Sequence, residues 1–337
     1  MEVCGTHTMA IARSGLKGLL PPALELLSGP GCPVCVTDAS YLDQAMHLAA
    51  LAKAPIIATY GDMVRVPGQN GSLAEARARG AAVEVVYSAN KAVELAANYP
   101  DRQVVFLAVG FETTAPGTAM ALSRARREKL ANFSVLVAHK LILPAMHALL
   151  AAGDVRIDGF LCPGHVSVII GYGAYADLAR DFHRPCVVAG FDPPQILAGI
   201  AAILDQLAAG QATAGSVYPS ASKAGNPAAM KLLEEVFVPA DAVWRGIGVI
   251  PASGLVLREA WREFDAQIRF DLPKIETHDP VGCRCGEVIR GLCRPWDCDL
   301  FGRRCTPRDA VGPCMVSSEG ACAAAYKYDP ARRFSRQ

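Results

Sequence analysis

The chain lacks what would place it in a membrane, a fibre or a nucleic-acid complex. No apolar run reaches the ~18 residues of a bilayer span, because the most apolar stretch, residues 196–209, is broken by Asp205. The start, Met-Glu-Val-Cys, has no basic segment followed by an apolar one, so the expectation is a soluble, cytoplasmic protein with no membrane attachment. Charge of one sign is lacking too: 33 basic and 32 acidic side chains leave +1, which gives no general field for nucleic acid or anionic lipid. Neither a Walker A motif nor GxGxxG occurs, and nucleotide binding therefore has no support. Solenoid repeats and low-complexity tracts are absent. What is present is apolar, 52% of 337 residues against 19% charged, which excludes disorder, collagen and coiled coil. A chain of this length buries a substantial core without staples and divides into about two domains.

Cysteine breaks this plainness. Twelve cysteines in a large, core-rich chain of a reducing compartment do not read as a disulfide framework, so metal or redox chemistry is the default. Seven of them (Cys283, Cys285, Cys293, Cys298, Cys305, Cys314, Cys322) fall in the last 55 residues, where apolar periodicity stops and Cys, Arg, Gly and Pro dominate. Residues 279–337 thus read as a separate module, held by something other than a core.

Up to about residue 250, short β-rich runs alternate with Ala/Leu-rich amphipathic stretches, the pattern of parallel sheets with crossover helices. Strands are expected at 56–60, 83–87, 104–109, 134–138, 160–162 and 187–189, and helices at 41–53, 74–79, 91–98, 118–130, 174–181 and 194–209. The fold class is α/β: two doubly wound parallel-sheet domains facing a cleft, residues 1–102 and 103–278, with the boundary in 98–103, plus the small irregular C-terminal module. Residues 211–278, with a loop at 215–227, a helix near 228–236 and a strand near 246–250, go with the second domain or pack back on the first. Six polar, Gly-containing clusters end these runs: CGTH at 4–7, GPGCPVC at 29–35, YGD at 60–62, GFETT at 110–114, PGHVS at 163–167 and GFD at 190–192. Loops beyond the strand C-termini line the ligand crevice of open parallel sheets, so these clusters are expected to converge there.

Four constellations carry chemistry. In the tail, Cys285, Cys298, Cys305 and Cys322 are separated by 12, 6 and 16 residues, with Cys293 and Cys314 between. Close CxxC pairs would indicate zinc, whereas wide, uneven spacing favours an iron–sulfur cluster, with zinc as the alternative. Ten Lys/Arg against six Asp/Glu over 283–337 are expected to depress the thiol pKa values and offset the thiolates. Cys32-Pro33-Val34-Cys35, on a Gly-Pro-Gly turn, reads as a redox or metal pair, or as two turn cysteines packed as small hydrophobes. Cys4-Gly5-Thr6-His7, expected at the end of a first strand, sets a thiolate and an imidazole three apart, although a solitary Cys-x-x-His also occurs incidentally. Glu112-Thr113-Thr114, Gly164-His165-Val166-Ser167 and Asp192 stand at strand ends, where Thr114 and Ser167 either cap the next helix or meet a ligand.

The ordered set MEVCGTH, GPGCPVC, YGDMVRVPG, GFETTAPGTA, PGHVSVIIG, VVAGFDP, WRGIGVIPASG, RCGEVIRGLC and MVSSEGACAAAYKY strongly resembles the HypD family of [NiFe]-hydrogenase maturation factors over nearly the entire chain. The resemblance implies two α/β domains plus a [4Fe–4S] module. It implies a stable complex with HypC and a transient one with HypE, the cyanide donor, to assemble an Fe(CN)2CO unit for a hydrogenase large subunit. By motif, Cys4 resembles the cysteine that holds the iron, and Cys32 and Cys35 the essential redox pair. Cys285, Cys298, Cys305 and Cys322 sit where the cluster ligands are, with Cys293 the main competitor. His7 is then expected to orient or protonate a diatomic ligand, with Glu112, Thr113, Thr114, His165 and Ser167 as the cofactor-binding set around it. Family members begin a few tens of residues before CGTH, whereas here Cys4 starts it, and Cys162, Cys186, Cys283 and Cys314 look additional to the pattern and have no assigned role.

Iron carrying cyanide and carbonyl needs soft thiolate ligation and a water-poor site. A cluster beside a dithiol would pass electrons one at a time onto a two-electron pair. Two other classes compete: a stand-alone thiol–disulfide oxidoreductase, which turns over small disulfides, and a zinc-stabilised α/β binding protein, which metal analysis separates from the rest.

Overall fold

A computed structural model describes residues 1–329; Arg332, Arg333, Arg336 and the end of the expected 279–337 module lie outside the described residues. Along the chain the strands are β1 (Ile56–Thr59), β2 (Val83–Val85), β3 (Val104–Gly110), β4 (Phe133–His139), β5 (Phe160–Cys162), β6 (Cys186–Val188), β7 (Ala214–Ser216), β8 (Phe237–Trp244) and β9 (Gly248–Leu257). The helices are α1 (Gly5–Ser14), α2 (Pro33–Val36), α3 (Ala39–Ala50), α4 (Leu73–Ala78), α5 (Ala89–Asn98), α6 (Ala115–Arg127), α7 (Ile142–Ala152) and α8 (Gly164–Ile170). They continue as α9 (Ala176–Phe182), α10 (Pro193–Ala208), α11 (Pro227–Val236), α12 (Ala266–Arg269), α13 (Cys285–Arg290), α14 (Pro313–Val316) and α15 (Ala321–Tyr328). No helix among the described residues is long and apolar enough to cross a membrane.

The protein is α/β with parallel sheets and a cysteine-rich C-terminal region, and it divides into two compact units. The first comprises Met1–Val36, Ile142–Ala228 and the chain from Pro280 onward; the second comprises Thr37–Leu141 and Ala229–Asp279. The second unit is built on a parallel sheet of order β2-β1-β3-β4. Its β3, Val-Val-Phe-Leu-Ala-Val-Gly, is buried at every position, as expected of a parallel strand covered on both faces. β1 pairs with β3 in register Ile56↔Val104, so the sheet runs through 98–103 and the expected boundary does not fall there: the Tyr-Pro-Asp-Arg stretch is a connection within one sheet. Local signals set the helix starts in this unit, with Asp38 accepting from the Ser40 amide, Ser72 from Glu75 and Ser88 from Lys91, each satisfying an otherwise orphaned N–H. The strand expected near 246–250 is the turn and start of a long antiparallel hairpin, β8–β9. Its first strand, Phe-Val-Pro-Ala-Asp-Ala-Val-Trp, hides its period behind Pro, Ala and Asp, all weak strand formers.

The first unit has the parallel order β5-β6-β7. Its opening residues extend that sheet: Glu2 bridges Ser28 on one side and Leu161 on the other, both parallel. These are two isolated bridges at one residue and not a full strand, and Cys4 follows as the N-cap of α1. The core here joins Ile11, Leu16, Leu161, Ala189, Ile196 and Ile200, which docks α1 and α10 against β5. The C-terminal segment is part of this unit. Contrary to the expected coreless module, it buries Val288, Ile289, Phe301, Met315, Val316 and Ala324 and packs α15 on α1 and α14 on α2. Its apolar residues escape a periodicity test because one-turn helices bring them together.

Candidate functional site: a thiol cluster in the first unit

Cys4 is buried at the N-terminus of α1. Burial pushes its thiol up to about 12, aided by the Glu319 and Glu2 carboxylates and opposed by the His7 and Thr6 amides. Glu2, itself buried, accepts from the Cys4 amide at 3.0 Å and the Thr8 hydroxyl at 2.5 Å, and desolvation raises its carboxyl to about 7. The Cys-Pro-Val-Cys loop lies against this turn. The Gly5 amide donates to the Gly31 carbonyl at 3.0 Å, and a Cβ on Gly31 would stand 2.1 Å from the Cys4 nitrogen, so only glycine lets the two loops meet. Cys32 and Cys35 are joined as a disulfide and are almost completely enclosed, 5% and 1% exposed. The fully buried Ser317 hydroxyl lies 3.3 Å from Cys32 Sγ, and the Cys35 amide donates to the same sulfur at 3.1 Å. Two residues further on, Glu319 accepts from the Thr6 hydroxyl at 2.8 Å.

His7 is fully buried, with Nε2 2.8 Å from the Gly190 carbonyl. A carbonyl only accepts, so Nε2 carries the proton and Nδ1 is a buried lone pair with no hydrogen-bond partner. Burial holds the ring's pKa down at about 4, and a ring that is neutral at pH 7 is not a proton donor of the expected kind. It instead ties α1 to the 189–191 loop, stacked near Phe191, which also carries the exposed His165 at 4.1 Å between ring centroids. Neither expected cap forms. Ser167 donates to the Pro163 carbonyl at 2.6 Å and meets the Tyr175 hydroxyl at 3.1 Å, and Thr114 donates to the Phe111 carbonyl at 3.2 Å.

In the tail, Cys285, Cys305, Cys314 and Cys322 are buried, with Cys283, Cys293 and Cys298 less so. The Cys322 thiol adjoins those of Cys285 and Cys314, and this, with burial, raises its pKa well above the ordinary value. Cys305 is raised by burial, with Cys285 and Cys283 adding to it, and it accepts from the Val311 amide at 3.3 Å. Cys298 faces the Gly282 carbonyl at 3.7 Å. A Cβ on Gly312 would fall 2.6 Å from Cys285 Sγ and 2.8 Å from Cys283 Sγ, so the loop leaves this space to sulfur. Positive charge does not depress Cys293, Cys305 or Cys322 as expected. Arg284 pulls Cys293 down, but burial outweighs it and leaves Cys293 at about 11, because the arginines are engaged elsewhere: Arg284 with Glu287, Arg290 with Asp154 and Arg294 with Glu25.

Among the described residues no three His, Cys, Asp or Glu side chains are disposed to hold one metal ion. The donor chemistry nonetheless fits a thiolate-bound cluster, since neighbouring buried thiols with raised pKa values are poorly solvated until a cation draws off their protons.

The GFETT loop belongs to the second unit, where Glu112 is buried and Thr113 exposed; the PGHVS loop belongs to the first. Beside GFETT, and not foreseen, lie His139, buried with Nε2 2.9 Å from the Thr118 hydroxyl and held at about 4 by burial, and Lys140, lowered by burial to about 8 and donating to the Val243 carbonyl at 2.8 Å. Also unforeseen are Glu2, Ser317 and Glu319. Their signal was an acidic residue inside an apolar start and a small, polar Ser-Ser-Glu-Gly run directly before Cys322.

The fold and the site define a cysteine-rich α/β protein with a buried disulfide turn packed against the Cys4 backbone and Ser317. The family model described as "HypD: Hydrogenase formation hypA family" matches residues 1–329. Hydrogenase maturation factor HypD of Escherichia coli is 46% identical over 330 residues, covering 97% of this chain and 88% of that one. The factor of the same name from Azotobacter vinelandii is 46% identical over 341 residues, covering 99% and 90%, and that from Cupriavidus necator 44% over 337 residues, covering 97% and 89%. The chain belongs to the HypD family of hydrogenase maturation factors.

Proposed function

We propose that this chain is a scaffold and redox maturation factor that, in complex with HypC and with HypE as transient cyanide donor, assembles the Fe(CN)2CO unit of [NiFe]-hydrogenases. The observation that carries this reading is the continuity of residues 313–322. One short segment sets Cys322 beside Cys285 and Cys314, Ser317 by the disulfide sulfur, and Glu319 on Thr6 next to Cys4. Iron is the substrate here. Cys4 would hold it, since a thiolate suits low-spin iron and a buried position excludes water. The raised pKa of that thiol means that its proton would leave only as the metal arrives. His7 would keep α1 and the 189–191 loop in register, with its bare Nδ1 as an acceptor. Cys32 and Cys35 would take up two electrons and two protons as the disulfide opens. A [4Fe–4S] cluster on Cys285, Cys298, Cys305 and Cys322, with Cys293 as the alternative ligand, would supply single electrons. Enclosure of the disulfide argues against a stand-alone oxidoreductase, which needs a sulfur that protein substrates can reach.

The test is the infrared spectrum of the complex with HypC, purified anaerobically. Cys4→Ala should erase the cyanide and carbonyl bands while the tail's chromophore stays. Bands that persist in the variant would show that the partner alone holds the iron.

A further inference from the structure

The tail holds more thiols than the four thiolates that a [4Fe–4S] cluster takes, and one of those to which the sequence gave no role lies where the others gather. A Cβ on Gly312 would stand 2.6 Å from Cys285 Sγ and 2.8 Å from Cys283 Sγ, so both sulfurs reach the same small space. The Cys305 sulfur comes to the same loop, since it accepts from the Val311 amide at 3.3 Å. Cys322 follows through Cys285, whose thiol it adjoins. Cys298 is placed differently. Of the four expected ligands it alone is not buried, and its thiol faces the Gly282 carbonyl at 3.7 Å, on the peptide link that leads into Cys283. The ligand most open to water therefore borders the backbone of a fifth cysteine. That cysteine sits on a turn: its amide donates to the Pro280 carbonyl at 3.0 Å, Gly282 has φ 78° and Val281 is 98% exposed. A glycine in the left-handed region beside an exposed side chain lets such a turn shift without disturbing a core. Cys293, the competitor in the sequence, instead has Arg284, Glu287, Asp297 and Cys298 as neighbours.

We infer that Cys283 is a reserve ligand of the iron–sulfur cluster, which takes the place of Cys298 when that thiolate is released; this deepens the cluster reading proposed above and rests on it. In the exchange the bond between iron and the Cys298 sulfur breaks and a bond to the Cys283 sulfur forms. Cys283 gives up its proton as it binds, and Cys298 takes one as it leaves. Four thiolates remain, the charge is unchanged and no electron changes hands. Cys283 therefore guards the cluster at its most open ligand, while Cys285, Cys305 and Cys322, all buried, hold the rest.

The experiment isolates the full chain anaerobically, counts its iron and acid-labile sulfide, and reads the alkylation of each cysteine by iodoacetamide from peptide masses. In the unaltered chain Cys283 should be labelled while iron and sulfide stay. Cys298→Ala should keep both in equal amounts, with labelling of Cys283 slowed about tenfold because its sulfur is now bound. Cys283→Ala alone should keep the cluster, and Cys283→Ala combined with Cys298→Ala should lose it. Loss of iron and sulfide from Cys298→Ala overturns the inference, as does unchanged labelling of Cys283 in that variant or a cluster that survives in the double variant. Iron released in step with Cys283 labelling in the unaltered chain also overturns it, a result that needs no variant to fold. If the unaltered chain carries neither iron nor sulfide, the cluster reading itself fails. If it carries both and Cys283 fails these tests, only this inference does.

Discussion

Every one of the twelve cysteines lies in the first unit and none in the second. Both units are parallel α/β folds that end strands in polar loops, yet they solve the burial of reactive groups differently. The second unit buries His139 and Lys140 on ordinary hydrogen bonds, to Thr118 and to the Val243 carbonyl. The first buries thiols against one another and against carboxylates, which raises Cys4 and Cys322 in particular. The difference teaches that the parallel-sheet scaffold is common to both halves, while the concentration of thiols is a property of one.

The largest effect should come from breaking the tail. In protein isolated anaerobically, Cys305→Ala should make residues 283–329 at least about tenfold more sensitive to limited proteolysis, because ligand binding and local folding are linked. Fragments spanning β1 to β4 should persist, and mass spectrometry of the digest would reveal their loss if the two units shared one fate.

The same substitution should have opposite signs in the two units. Gly31→Ala forces a Cβ within 2.1 Å of the Cys4 backbone nitrogen and should destabilise the first unit by about 3 kcal/mol. Gly117→Ala, on α6 with nothing within 4 Å, should stabilise the second by about 0.5–1 kcal/mol. Denaturant midpoints, with hydrogen exchange of β5 and β3 to separate the units, measure both.

Acid acts next, through the buried His139 of the second unit. The folded pKa of His139 is about 4 because burial disfavours its charged form, while the unfolded ring titrates near 6.5. Between those values the unfolded chain binds a proton that the folded chain refuses, so stability rises with pH across the window and is lost as pH falls through it. The loss in the second unit should reach about 2 kcal/mol at pH 5. Exchange protection of β3 and β4 at pH 7 and 5 measures it, and His139→Gln should flatten the slope.

The smallest effect concerns the surface of the tail. Arg294 and Glu25 pair at 2.7 Å, both about half exposed, and Arg294→Ala should cost under about 0.5 kcal/mol. A larger loss in a thermal melt would mean that ion pairs, and not apolar packing and sulfur, hold the segment.

The contrast between the units was partly legible in the sequence. Continuous apolar runs such as 104–109 announced parallel strands, and the amphipathic stretch 91–98 announced a helix. The boundary was not legible, because the chain leaves the first unit at Val36, returns at Ile142 and returns again at Pro280. No local composition records such a crossing, and only the pairing of β1 with β3 does. The hairpin β8–β9 was obscured by Pro239, Ala240 and Asp241, whose fit depends on a cross-strand partner. At the site, the cysteine motifs stood out by residue type. Ser317 and Glu319 did not, since serine and glutamate are common and acquire meaning only from what α14 and its following turn place beside Cys32 and Thr6.

Iron and acid-labile sulfide content of the anaerobically isolated chain tests most directly the claim that the first unit concentrates thiols because it handles iron. The unaltered chain should carry iron and sulfide in equal amounts, and a variant with Cys285, Cys298, Cys305 and Cys322 all changed to Ala should lose both. Zinc in place of iron, or full sulfide in that variant, would contradict it.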